Sequence, residues 1–546
     1  MEMLLRLGRR LNGGALPLAI VIIVAAAVTL TIANLVPEQQ EKLLYLAQDY
    51  LPIIMFFTLA ALLFSGYPVA FILGGVAFLF GMIGYLLGTF TLAKFFNFVP
   101  RIWGQAATNL VLVSIPTFIF MGVMMERSRI AQDLLYCVQV LLKRVPGALA
   151  VAVNIMGTIL AAMTGIIGAS VTMMTALALP TMLRQGYAPW LACGVLAAAG
   201  TLGILIPPSI MLIVMSDLLS VSVGNMFMAA LMPGLTLSAL YLIFIIVVAG
   251  LFPRVAPPLA KEQLAVPKEQ LWKGFNVKSA LTAVAAIGFF LLGRHGVIPE
   301  LLGQVLAALA GLSFLIVTLG PLLLKGFVPP VFLIGLVKAS ILFGAATPSE
   351  MGAVGAFGAS LIAAAQGRLS WKELVDVSRA TGRTVAMVFF IIVAATCFAV
   401  VYRQLGGDTI VENLIAHAGL GSWGLLILIM VIVFFLGFFL DWIEITLIVI
   451  PVFAPMIAGL DFGDHLPKQD VVYWFAILMA VNLQTSFLTP PFGFALFYLK
   501  GIAPKEVKIQ SIYLGIIPFV LLQILGLVMV LLFPQLALWL MHYSYG

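Results

Sequence analysis

Long uncharged stretches alternate along the chain with short polar breaks near residues 37–42, 126–133, 143–144, 253–278, 366–383, 402–413 and 461–470. An α-helix rises about 1.5 Å per residue and the hydrocarbon core of a bilayer is about 30 Å thick, so one straight crossing takes about 20 residues. The 22 uncharged residues 15–36 have that length. They follow Arg6, Arg9 and Arg10, which predicts a first transmembrane helix starting in the cytoplasm. A cleaved signal peptide is the alternative, disfavoured by the length of the run and the lack of a small-x-small site at its end. Other stretches are too long for one crossing. Residues 145–183 give 39 positions without a charge, 185–216 give 32 and 471–499 give 29. Gly165 and Gly168 interrupt the first, Gly200, Gly203 and Pro207-Pro208 the second, and Gln484-Thr485-Ser486 and Pro490-Pro491 the third. These segments are either hairpins or helices broken inside the membrane.

The interruptions fall into two ordered sets. The first runs Ser114-Ile115-Pro116-Thr117-Phe118, then Gly168-Ala169-Ser170 leading to Pro180, then Leu205-Ile206-Pro207-Pro208-Ser209. The second runs Ala394-Ala395-Thr396-Cys397-Phe398, then Leu440-Asp441 leading to Pro451, then Leu488-Thr489-Pro490-Pro491-Phe492. Aligning Pro180 with Pro451 sets Ser170 opposite Asp441. Unwound backbone in hydrocarbon leaves polar groups without partners, so it lines a polar cavity or coordinates an ion. Matched interrupted segments in two halves therefore point to a transporter's binding site. Four regions follow: residues 1–50 with the extra helix, 51–252 as a first repeat, 253–345 as a connecting loop with further apolar segments, and 346–546 as a second repeat.

Composition agrees. The chain is 63% hydrophobic and 9% charged, where a soluble domain carries about 25% charge. Lipid must solvate most of it. The net charge of +7 fits basic cytoplasmic loops rather than nucleic-acid binding. Arg368, Lys372, Arg379 and Arg383 place the 366–383 loop inside; Asp461, Asp464 and Asp470 place the next loop outside; Lys500, Lys505 and Lys508 return the chain to the inside. Cys137, Cys193 and Cys397 are far apart and the four histidines are scattered, so no disulfide framework and no transition-metal site is expected. No HExxH motif is present, and a single mid-segment aspartate does not make an aspartyl protease, so an intramembrane enzyme is disfavoured. A channel is a further alternative.

The run Ala197-Ala198-Ala199-Gly200-Thr201-Leu202-Gly203-Ile204-Leu205-Ile206-Pro207-Pro208-Ser209 closely resembles the signature of the large membrane subunit of tripartite ATP-independent periplasmic (TRAP) transporters. Ile115-Pro116-Thr117-Phe118, Ala346-Thr347-Pro348-Ser349-Glu350, Gly437-Phe438-Phe439-Leu440-Asp441 and Leu488-Thr489-Pro490-Pro491-Phe492-Gly493 extend the resemblance in the same order, over about residues 54–535. It implies an all-α polytopic protein of the bacterial inner membrane, with two inverted repeats, each holding a re-entrant hairpin and a broken helix, in an elevator-type ion-transporter fold. It further implies sodium coupling, a periplasmic substrate-binding protein, a small four-helix membrane subunit, and a small organic acid as substrate. No cofactor beyond sodium ions is expected. The chain departs from shorter members in its extra N-terminal helix, its apolar segments at 279–325 and its second carboxylate, Glu444. Such long versions resemble a subgroup associated with keto acids, mannitol or chloroaromatic compounds.

Asp441 is the strongest candidate ligand. An aspartate at the bilayer centre costs about 2.5–3.5 kcal/mol on insertion scales. No Lys or Arg lies nearby in sequence, so sodium is its natural partner, with Ser486, Thr489 or Pro490 supplying further oxygens. Glu444, three residues on, lies on the same helical face. Ser114, Pro116, Gly168, Ser170, Thr172, Pro207 and Ser209 are the first-half candidates, with a sodium site near Ser114 and Ser170 implied by the resemblance; Thr396 and Thr485 are their second-half counterparts. The prolines and Gly168, Gly200, Gly203 and Gly493 are expected to shape the breaks, glycine through positive φ and proline by freeing a carbonyl. Thr347 and Glu350 belong to the motif that carries the resemblance; Glu350 also opens an apolar run, for which a capping role is the alternative. Arg101, Arg184 and Arg403 flank helices and read as loop anchors.

Overall fold

Backbone N–H and C=O groups in hydrocarbon need partners within the protein, and among the described residues the apolar runs form helices, which supply them inside each segment. The computed structural model describes residues 37–63, 67–142, 145–164, 167–258, 271–273, 277–294, 299–342, 346–347, 349–417, 419–438, 440–490 and 493–545. The predicted first helix at 15–36 lies outside the described residues. Among them there is no strand, only an isolated bridge between Trp272 and Leu319. In chain order, α1 is Pro37–Leu63, α2 Val69–Leu86, α3 Ser114–Arg127, α4 Ile130–Leu141, α5 Ala148–Thr164, α6 Ile167–Arg184, α7 Pro189–Thr201, α8 Ile210–Leu218 and α9 Val223–Leu251. A short π-turn, Trp103–Ala107, precedes α3. There follow α10 (Val277–Arg294), α11 (Glu300–Thr318), α12 (Val328–Leu342), α13 (Met351–Ala365) and α14 (Trp371–Gln404). The last set is α15 (Ser422–Leu436), α16 (Trp442–Ala458), α17 (Val471–Leu488), α18 (Phe494–Ile502), α19 (Ile509–Leu532) and α20 (Gln535–Tyr545).

One succession occurs twice: hairpin, broken helix, long helix. In the first repeat these are α5/α6, α7/α8 and α9; in the second, α15/α16, α17/α18 and α19. The uncharged run 145–183 is thus a hairpin rather than a broken helix. Gly157 and Met174 sit at matched distances from its turn, and a Cβ on Gly157 would lie 2.9 Å from the Met174 Cε. Both hairpins are closed at the base. The Leu149 N–H donates to the Tyr187 hydroxyl at 3.2 Å, and the Asp461 N–H donates to Ser422 Oγ at 3.2 Å. Asp461 belongs to the acidic outer loop, where the Gly463 N–H and Lys468 hold its carboxyl below the usual carboxylate range.

The repeats exchange arms. The second arm of the first hairpin, α6, packs on α18 of the second broken helix, and α16 of the second hairpin packs on α8 of the first. The base of the first hairpin is flanked by Lys143, Arg144 and Arg184 and that of the second by Asp461, Asp464 and Asp470. The positive-inside rule then puts the two bases on opposite sides of the membrane, which makes the repeats inverted.

The basic stretch 366–383 is not a loop. Only 366–370 forms a turn, and α14 starts at Trp371, where Ser370 Oγ accepts from the Glu373 N–H at 3.1 Å. With 34 residues, α14 is about 51 Å long, well beyond the hydrocarbon. Lys372, Arg379 and Arg383 therefore ride on helical turns outside the apolar layer. Arg368 in the turn bonds Asp133 at 2.6 Å and the Ser128 carbonyl at 2.8 Å, tying two turns on that face together. The extra apolar segments at 279–325 form mainly α10 and α11, which pack chiefly on each other. Six helices among the described residues (α2, α6, α9, α14, α17 with the turn before it, and α19) are long and apolar enough to cross a membrane. Large apolar side chains such as Phe57, Phe71 and Phe357 are well exposed; water would penalise that surface, and lipid does not.

Candidate ion and substrate site

Helix ends leave four N–H or four C=O groups without helical partners, and two hairpin tips plus two breaks place eight such ends deep in this protein. The first break runs from a 3-10 turn at Leu202–Ile204 through Leu205–Ser209. Ser209, fully buried, spans it by donating from Oγ to the Ile204 carbonyl at 2.8 Å. Pro207 and Pro208 lie in the unwound stretch, as their sequence predicts. The second break separates Leu488 from Phe494; Pro490 lies in it, and Pro491 falls outside the described residues. Gln484 on α17 donates to Thr201 on α7 at 3.4 Å, joining the two broken helices next to their breaks.

The second hairpin tip is held by α17. The last carbonyls of α15 have no intrahelical donors, and Ser486 Oγ donates to one of them, Phe434. One turn earlier, Asn482 Nδ2 donates to the Met430 carbonyl at 2.6 Å. Replacing Ser486 with Ala leaves the part-buried Phe434 carbonyl without this donor. A stability loss of about 1–2 kcal/mol is expected, read as a lower unfolding midpoint in detergent; an unchanged midpoint would show the bond to be dispensable.

Asp441 and Glu444 stand at the start of α16 as a reciprocal cap. Asp441 Oδ1 accepts from the Trp442 N–H at 2.7 Å, and Glu444 Oε2 accepts from the Asp441 N–H at 3.1 Å. The D-x-x-E spacing is the sequence signal for this box, and it gives both carboxylates a structural role beside any ionic one. Each carboxylate offers about four lone-pair positions, so the cap leaves acceptor capacity free. Tyr498 on α18 is close enough to interact electrostatically with both Asp441 and Glu444. Its ring also covers Gly168 at the other hairpin tip, where a Cβ would meet Tyr498 Cζ at 2.8 Å. Both tips thus converge on one aromatic residue. Nothing in the residue pattern near Tyr498 marks it; its importance comes from contacts across the repeats.

The remaining predicted residues fall into three groups. Thr396, Thr485 and Thr489 bond back to the carbonyls of Ile392, Val481 and Thr485 in their own segment, a common use of threonine in helices. Ser114 donates to the Val111 carbonyl at 2.6 Å and lies against Gly352 of α13. Ser170 is buried and Thr172 half-buried on α6, on either side of Val171, which packs on Gly200. Two expectations need correction. None of Gly168, Gly200, Gly203 and Gly493 takes a positive φ. At least three are needed for close approach instead: a Cβ on Gly200 would meet Val171 Cγ2 at 2.5 Å, and one on Gly493 the Phe487 carbonyl at 2.7 Å. Pro116 shapes no break either; it stands in the first turn of α3, where its missing N–H costs nothing. Glu350 stands at the start of α13 but makes no side-chain cap bond to it; its Oε2 accepts from the Thr347 N–H at 2.9 Å, in the turn before the helix. Arg403 is more than a loop anchor, since it donates to the Pro451 carbonyl at 2.8 Å.

Inverted hairpins and broken helices meeting at buried polar groups define a multi-pass membrane transport protein. The sequence pattern of the tripartite ATP-independent periplasmic transporter, DctM component, matches residues 56–536. The chain belongs to that family and is a multi-pass protein of the bacterial inner membrane. It is 26% identical to the C4-dicarboxylate TRAP transporter large permease protein DctM of Pseudomonas aeruginosa, over 80% of this chain and 87% of that one. It is 26% identical to the ectoine/5-hydroxyectoine large permease UehC of Ruegeria pomeroyi, over 90% and 99%. The isethionate permease DctMQ of Oleidesulfovibrio alaskensis is 25% identical, over 84% and 63%. These relatives are named as permeases, not as enzymes.

Proposed function

We propose that this chain is the translocating subunit of a sodium-coupled secondary transporter that takes up a small organic anion, of carboxylate or keto-acid type, handed over by a periplasmic binding protein. The observation that supports it best is the convergence of both hairpin tips on Tyr498 beside two carboxylates. Helix C-termini at the tips and breaks direct carbonyls at a cation, and helix N-termini direct N–H groups at an anion. Asp441 then serves as the charged oxygen ligand of a sodium ion, a hard cation that favours oxygen. Ser170 and Thr172 mark a corresponding first-half site. In this scheme the hairpins and broken helices move as one body against α2 and α14, in an elevator-like exchange of access. A small four-helix membrane subunit and surrounding lipid support the static part. Relatives named for C4-dicarboxylate, isethionate and ectoine cover several substrates, so the acid is chosen by experiment. Purified chain, reconstituted with its small subunit, is assayed for uptake of a panel of acids loaded on the binding protein. Uptake that needs both the sodium gradient and the binding protein is expected. Uptake that persists with either one missing would overturn the proposal.

A further inference from the structure

A cavity of about 590 Å³ lies between α14, the segment 101–112, the end of α8 and the outer half of α16. Its size falls within the range of small-molecule sites. α14 begins at the basic inner turn and ends at Gln404, so Arg403 and this cavity belong to the outer face, from which a binding protein delivers. Arg101 and Arg403 line the cavity, with Gln105, Asn109 and Thr396. Its acidic lining residue is Asp217, whose Oδ1 already accepts from Asn109 Nδ2 at 2.8 Å. Arg403 Nε lies 3.7 Å from Asp408. Among the described residues Arg101 enters no ion pair.

The contact of Arg403 with α16 has a definite cause. Residue 455 is proline and has no N–H, so the Pro451 carbonyl has no helical donor four residues on. The Arg403 guanidinium fills that vacancy at 2.8 Å and thereby ties α14 to the second hairpin. A carboxylate or sulfonate is a better partner for a guanidinium than a neutral carbonyl, because it brings a full opposite charge and can accept two parallel N–H bonds at once.

We propose that this outer cavity receives the anionic group of a small organic acid, held by Arg403 with Arg101, and that the anion takes Arg403 from the Pro451 carbonyl and so unties the second hairpin from α14. This deepens, and rests on, the assignment of a carrier function. The site binds a compact carboxylate or sulfonate. A lipid phosphate would satisfy the same guanidinium groups, and the test separates the two.

Ala399 lines the cavity, whereas Cys137 and Cys193 are buried. In a Cys397→Ala background, Ala399→Cys is labelled with 2-sulfonatoethyl methanethiosulfonate, itself a small organic sulfonate, and with its trimethylammonium counterpart. The ratio of the two rates reports the charge preference of the cavity. Electrostatic focusing in a cleft changes encounter rates by about tenfold or more. The ratio is expected to fall about tenfold in Arg403→Gln, to fall in Arg101→Gln, and to survive in Arg403→Lys. Equal ratios in all four proteins would overturn the proposal. So would a preference that exists in phosphatidylcholine vesicles and vanishes when phosphatidylglycerol is added, since the site would then belong to lipid. Labelling requires neither sodium nor transport. A lost charge preference with intact sodium-driven uptake sinks only the anion site, and a retained preference without sodium-driven uptake sinks only the carrier assignment.

Discussion

In Asp441→Asn, sodium-driven uptake falls on the order of 100-fold while the protein keeps its fold. Asparagine is as good a helix N-cap as aspartate, so it preserves the bond that Asp441 receives from the Trp442 N–H. What it removes is the negative charge. Removing one partner of a desolvated charged interaction costs about 2–5 kcal/mol, and each 1.4 kcal/mol is a factor of ten. Asp441→Ala removes cap and charge together and adds a stability loss of about 1 kcal/mol. The pair of variants separates the two roles of the residue. If Asp441 only capped α16, Asn would transport like the natural protein and Ala would suffer from instability alone. Initial rates in proteoliposomes, beside unfolding midpoints in detergent, tell these apart.

The largest structural effect is expected for Gly515→Ala on α19. A Cβ there would overlap the Trp190 carbonyl oxygen of α7, and a Cβ on Gly194 would overlap the Gly515 carbonyl in return. Small residues at membrane helix crossings allow such backbone contact. The atoms met are main chain and cannot rotate away. Every residue of α7 from Leu191 to Thr201 is buried, so that helix has no room to recoil. Overpacking costs about 1–3 kcal/mol where side chains can adjust, and Gly515→Ala belongs at the upper end. Gly250→Ala is the control: no atom lies within 4 Å of its Cβ position, and alanine in a helix favours stability by about 0.5–1 kcal/mol. Monodisperse yield and unfolding midpoint should drop for the first and hold or rise for the second. Equal midpoints would show that α7 and α19 can separate without loss.

How much was legible in the sequence depended on whether a feature is set by local chemistry. The run 145–183 is too long for one crossing whatever surrounds it, and Pro207-Pro208 removes helical donors wherever it stands, so interruptions follow from the chain alone, while which segment is a hairpin and which a broken helix does not. Asp441 stood out because a lone aspartate among Phe438, Leu440 and Ile443 has no local compensation. Its cap with Glu444 is equally local, in the D-x-x-E spacing. Charge clustering misread 366–383 as a loop because α14 outruns the bilayer and carries its charges outside on helical turns. Tyr498 and Arg403 were out of reach: the first matters through Gly168 and the Asp441–Glu444 pair, the second through Pro451, all distant in sequence. The glycines were recognised as necessary for the wrong reason, since close approach between helices leaves no mark on one segment that distinguishes it from a turn.

In the proposed carrier, main-chain ends gathered around Asp441 would bind Na⁺, and direct binding can be read without any substrate. The purified protein is melted in increasing sodium chloride at ionic strength held constant with choline chloride, beside Asp441→Asn. A ligand that binds only the folded state at 100 times its dissociation constant stabilises by about 2.7 kcal/mol. The melting temperature of the natural protein should therefore climb with sodium and saturate, while that of the variant stays flat. Identical melting of the natural protein in sodium and in choline would contradict the account.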